Sequence, residues 1–93
     1  MENLDPRTND NIKSRLAGLL SGYSWRYNQR IDQTQEYFGL YHGYLDALRD
    51  VNIITVKQYC DLRSLCLAVQ NSKPGKPKTS TECAELIQNA LKD

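Results

Sequence analysis

Asp50-Val51-Asn52-Ile53-Ile54-Thr55-Val56-Lys57-Gln58-Tyr59 decides the fold of this chain. A helical pattern runs up to Asp50, the segment from Asp50 to Ile54 breaks it, and Thr55 to Gln58 restarts it. Thr55 followed three residues later by Gln58 is a capping box, in which each side chain satisfies the other residue's free backbone N–H. Ile54 before the cap and Tyr59 after it occupy the two positions of a hydrophobic staple. So short a connection dictates two antiparallel helices, a tight helical hairpin turning at 50–55.

Upstream of the turn, Ile31, Phe38 and Leu45 recur every seven residues, and Thr34, Tyr41 and Leu48 do so on the adjoining ridge. That spacing belongs to a helix packed along another helix. It predicts one long central helix over 24–50, about 40 Å at a rise of ~1.5 Å per residue. Gly39, Gly43 and Ala47 form a stripe of small residues on it. An earlier helix over 10–22 places Ile12, Leu16, Leu19 and Tyr23 on one face. Ser14, Gly18 and Gly22 make a second small stripe there. Either Gly22 closes that helix or the stripe admits a close neighbour, so continuity between 10–22 and 24–50 is open. Thr8 or Asp10 is the expected N-cap, after a loose leader over 1–9.

Downstream, a third helix from Val56 to Gln70 carries Tyr59, Leu62, Cys66 and Val69 on one face, with Leu65 beside them. Two prolines and a glycine make 71–79 a loop. Thr79 and Glu82 form a second capping box that starts a last helix, Ser80 to Leu91, with Cys83, Leu86, Ile87, Ala90 and Leu91 on one side. No stretch alternates like a strand and none repeats. The expected fold is all-α: a single domain over 1–93, built as a bundle of three to four helices.

Composition narrows the function. Twelve basic against 11 acidic residues argue against a protein that coats nucleic acid through charge alone. No apolar run is long enough to span a bilayer, and Met1 to Asp10 is too polar for a secretory signal, so a cytoplasmic location with no membrane contact is expected. Three cysteines, an odd count, fit reduced thiols better than disulfides. Catalysis is a poor fit: His42 is the one histidine, and no serine or cysteine stands beside it at an obvious spacing. Cys60, Cys66 and Cys83 lack the close pairing of a zinc site, and Cys66 and Cys83 fall on apolar faces. Neither metal nor cofactor is expected.

Binding remains. Trp25, Arg26, Tyr27 and Arg30 cluster within a few residues, with Tyr37 and Tyr41 further along, and Trp, Tyr and Arg dominate interface hot spots. Trp25 cannot share a helix face with Ile31, Phe38 and Leu45. It is therefore either exposed or covered by another helix. A protein partner, or a second copy of this chain in a dimer, is the leading expectation. The alternative is a small DNA-binding regulator that reads through Lys57, Gln58 and Arg63, with Lys73, Lys76 and Lys78 against phosphate. A structural subunit of a phage is a further alternative.

Tyr41 to Tyr59 resembles a helical hairpin of small accessory proteins carried by phages, prophages and plasmids. Those read as an aromatic-glycine-aromatic helix, here Tyr41 to Tyr44 around Gly43, a short turn, then Ile54-Thr55 and Tyr59. Asn52 stands where glycine is common in such turns. The likeness covers about a fifth of the chain. It implies a non-enzymatic protein with no catalytic residues to carry over. Some of those proteins clamp onto a host enzyme or a defence complex, as anti-CRISPR and anti-restriction proteins do, and the resemblance extends that expectation of an inhibitor to this chain.

Overall fold

A computed structural model describes residues 5–29, 34–70 and 78–92. They form four helices: α1 (Asp10–Gln29), α2 (Thr34–Asp50), α3 (Val56–Gln70) and α4 (Ser80–Leu91). No strand occurs among the described residues. The protein is an all-α helical bundle, and α3 and α4 span the residues expected from the sequence.

The first two helices divide differently from the expectation. The pattern over 24–50 is not one helix: Ser24 to Gln29 continue α1 through Gly22, and α2 starts at Thr34. α1 is the longest helix, at 20 residues. Ile31, the first position of the seven-residue repeat, lies outside the described residues. The N-cap of α1 is neither Thr8 nor Asp10. Asn9 Oδ1 accepts the Ile12 backbone N–H at 3.1 Å, and Asp10 sits within the first turn, 3.5 Å from the Lys13 ammonium.

The connection between α2 and α3 has the chemistry read from its residues. Thr55 Oγ1 accepts from the Gln58 N–H at 3.0 Å, and Gln58 Oε1 accepts from the Thr55 N–H at 2.9 Å. Asn52 has φ 62°, the left-handed conformation that ends helices. Its N–H donates to Arg49 O and the Ile53 N–H to Leu48 O, both at 2.9 Å. These two bonds define a Schellman motif, and half-buried Ile53 packs on the core that holds Leu48. The capping box of α4 is also formed, with the Glu82 N–H donating to Thr79 Oγ1 and the Thr79 N–H to Glu82 Oε1, each at 3.2 Å.

Side-chain pairs give the directions of the helices. Asp46 meets Tyr59, Tyr41 meets Leu62 and His42 meets Cys66, so α2 and α3 run antiparallel. Lys13 with Gln88 and Ser21 with Ser80 set α4 antiparallel to α1. Tyr23 with Gln70 joins the C-terminal ends of α1 and α3, which are parallel, so the helices alternate up and down. α1 and α3 each touch the other three helices, and α2 and α4 lie on opposite sides of that pair. The core draws Leu16, Leu20 and Tyr23 from α1, Tyr41 and Leu45 from α2, Leu62 and Val69 from α3, and Ile87 and Leu91 from α4. The Gly39–Gly43–Ala47 stripe stays outside it: all three residues are exposed, and nothing lies within 4 Å of a Cβ built on either glycine.

Two buried polar side chains tie the helices together. Gln58, besides capping α3, donates from Nε2 to Leu91 O at 3.0 Å and so satisfies a free carbonyl at the end of α4. Ser24 Oγ, fully buried in α1, accepts the Lys78 backbone N–H at 2.7 Å just before α4 begins.

Candidate functional site

The aromatic and arginine cluster sits at the C-terminal end of α1, and Gly22 shapes it. A Cβ on Gly22 would lie 2.6 Å from Tyr37 Cε1 and 2.8 Å from Cδ1, so only glycine admits the Tyr37 ring of α2 here. The stripe of small residues thus admits a side chain rather than a second backbone at this point. On top of that ring lies Arg26, its guanidinium carbon 3.8 Å from the Tyr37 centroid and 5.5 Å from that of Trp25. Such placement is a cation–π contact. Arg26 Nη1 donates to Gly22 O at 3.2 Å, while its buried Nε meets no acceptor. Trp25 keeps 46% of its surface exposed. Beside it a cleft of about 400 Å³ opens, floored by Gly18, Gly22 and Tyr37 and closed by Lys78, Thr79 and Ser80 at the start of α4.

Not every residue expected at a binding face belongs to it. Tyr27 is 40% exposed but points away from Trp25. Its ring packs on Tyr23 at 5.9 Å, over a small cavity that it shares with Phe38 and Gln70. Residues two apart on a helix are about 200° apart around the axis, so sequence proximity here does not make one patch. Tyr41 is a core residue and no anchor for a partner. It is fully buried, and its hydroxyl donates to Leu62 O at 2.7 Å. Arg30 lies outside the described residues.

The nucleic-acid alternative loses its central reader. Gln58 is buried, and both ends of its amide are committed to capping, so it has no free edge for a base. Lys57 is paired with Asp61 at 3.1 Å, and Lys78 lies 3.6 Å from Glu82. Arg63 is exposed and lies 5.4 Å from the Tyr59 ring. Lys73 and Lys76 lie outside the described residues.

One contact escaped the sequence reading. His42 Nε2 lies 3.7 Å from Cys66 Sγ, with the imidazole stacked on Phe38 at 4.1 Å. A thiol nucleophile is activated by a lowered pKa, which a charged imidazole beside it can supply. Here burial pushes the Cys66 thiol up to about 11 and holds His42 below its ordinary value, so the pair is neutral. It acts as a polar contact within the α2–α3 seam. The signal for it was the hairpin itself: once the turn is placed at 50–55, residues on α2 and α3 at similar distances from it face each other. The same logic brings Tyr59 to Asp46, with the Arg49 guanidinium carbon 4.3 Å from the Tyr59 ring.

Among the described residues no three His, Cys, Asp or Glu side chains gather as a metal site would require, and no helix is long and apolar enough to cross a membrane. All three cysteines are free thiols. No family model, no curated protein and no solved structure matches this chain.

Proposed function

We propose that this chain is a non-enzymatic binding protein that regulates or inhibits another protein by occluding its surface, of the kind that phages and plasmids carry. The observation behind this reading is Trp25, a half-exposed indole held beside the Arg26–Tyr37 stack at the mouth of a cleft. Leaving an indole in water has a free-energy cost that a partner removes. Burying the exposed remainder, on the order of 100 Å², is worth about 2–3 kcal/mol. Arg26 adds a guanidinium already oriented by Tyr37 and Gly22, which lowers the entropic cost of using it in an interface. The anchors are Trp25, Arg26 and Tyr37, and the mechanism is exclusion of water and of competing ligands from the surface they cover. Origin in a mobile element rests on the hairpin resemblance alone.

The test is a capture experiment with the tagged chain and its Trp25→Ala variant, the latter checked for native helix content. A specific protein held by the parent chain and lost from the variant supports the proposal, and the emission of the single tryptophan shifts to the blue when that protein is added. Capture that ignores the substitution overturns it. Light scattering on the chain alone separates a second copy from a foreign partner as the occupant of this face.

A further inference from the structure

A different surface lies along the seam between α2 and α3. A cavity of about 340 Å³ there is walled by Phe38 and His42 of α2 and by Cys60, Arg63, Ser64 and Leu67 of α3. It extends along α3 from Cys60 to Leu67, a distance of ~10 Å at ~1.5 Å per residue, or two helical turns. The floor is apolar and aromatic, with Phe38 and the stacked His42 at its centre. On its lip Leu67 is 61% exposed. None of this is shared with the cleft beside Trp25, whose walls are α1, Tyr37 and the start of α4.

Among the described residues the one charged side chain lining the cavity is Arg63, and no Asp or Glu lines it. Arg63 has no carboxylate within ion-pair distance among the described residues. The nearby acids are engaged elsewhere: Asp46 accepts the Tyr59 hydroxyl and Asp61 holds Lys57. An exposed leucine next to a guanidinium without a carboxylate partner, over a groove two turns long, matches one kind of occupant. Helix-in-groove recognition uses apolar anchors at i, i+3 or i+4 and i+7, which span that length. Complementary charge at the rim then steers and orients the helix. Nucleic acid is the poorer match, because phosphate would leave Leu67 and Phe38 without partners and the chain's net charge is only +1.

We infer that the α2–α3 groove is a docking site for an amphipathic helical segment of another protein, one that sets apolar residues against Phe38 and Leu67 and an acidic residue against Arg63. Leu67 and Arg63 are exposed, so Leu67→Ser and Arg63→Glu are expected to leave the bundle folded, which the helix content of each variant checks. The experiment selects 16-residue peptides from a displayed random library on the full chain. The enriched peptides are then synthesised with a fluorescent label and titrated by anisotropy. The expected peptides carry apolar residues at helical spacing with Asp or Glu among them. They bind at least tenfold more weakly to Leu67→Ser and to Arg63→Glu, and exchanging their acid for Lys restores binding to Arg63→Glu. Trp25→Ala binds them unchanged. An unenriched library, or peptides indifferent to both groove substitutions, overturns the inference. Peptides lost only with Trp25→Ala overturn it while leaving the proposed function standing. A 20-base-pair duplex that binds through Arg63, with affinity falling steeply as salt rises, also overturns it.

Discussion

His42 shows how much one side chain's surroundings decide. The ring is wedged against Phe38 and Cys66, and burial holds its pKa below the ordinary 6.5. Arg63 pushes in the same direction, while Asp46 pulls the other way. Because the folded pKa is depressed, the unfolded chain binds more protons as pH falls through 6.5. Stability from this group is therefore complete above pH 6.5 and is lost as pH falls toward the folded value. Asp5, held low by the Arg7 side chain, and Glu82, held low by the Thr79 backbone N–H, lose their contributions only in more acidic solution. Thermal melts between pH 5 and 8 are expected to show Tm dropping below about pH 6.5. His42→Gln flattens that slope, and a slope that survives the substitution excludes this account.

At the scale of elements, the turn between α2 and α3 rests on a single backbone conformation. Asn52 adopts positive φ, where a Cβ is disfavoured and only glycine is at ease, with Asn the next best. Asn52→Gly is expected to be neutral or to stabilise by a few tenths of a kcal/mol. Asn52→Val is expected to cost about 1–2 kcal/mol, lowering Tm by roughly 4–16 °C in a domain of this size. Chemical denaturation of the two variants against the parent checks both signs. The turn was legible because every part of it is local: a left-handed residue, a box of two side chains and a staple, all within ten residues. The same holds for Thr79 with Glu82 at the start of α4. The boundary between α1 and α2 was not legible. The sequence offered only Gly22 as a break, in a pattern that otherwise ran on to Asp50, and it is the packing of Gly22 against Tyr37 that shows α1 continuing past the glycine while α2 turns back onto it.

The bundle as a whole hides two of its three thiols. Cys66 and Cys83 are in the core, and Cys60 is exposed on α3. In native buffer an aromatic disulfide reagent is expected to titrate one thiol per chain quickly. The other two should react slowly, at a pace set by opening of the bundle, and rapidly in denaturant. Cys60→Ser removes the fast phase alone. Fast reaction of two or three thiols in buffer would mean that the helices around α4 do not close as described. Closure also depends on Gln58, whose one side chain caps α3 and ends α4. Its commitment to the bundle is what removes it from the surface.

Helix class, the hairpin, the capping boxes and the buried faces of α3 and α4 were determined by the sequence alone, because each follows from spacing and from bonds between near neighbours. Which aromatic side chains face outward was decided only by the tertiary structure. Tyr41 and Trp25 are both large, both amphipathic and both on helices, yet one is sealed in the core and the other is half in water. The seven-residue spacing put Tyr41 on a packed ridge, but what packs across from each residue, and so which one is sealed, is a long-range arrangement of helices.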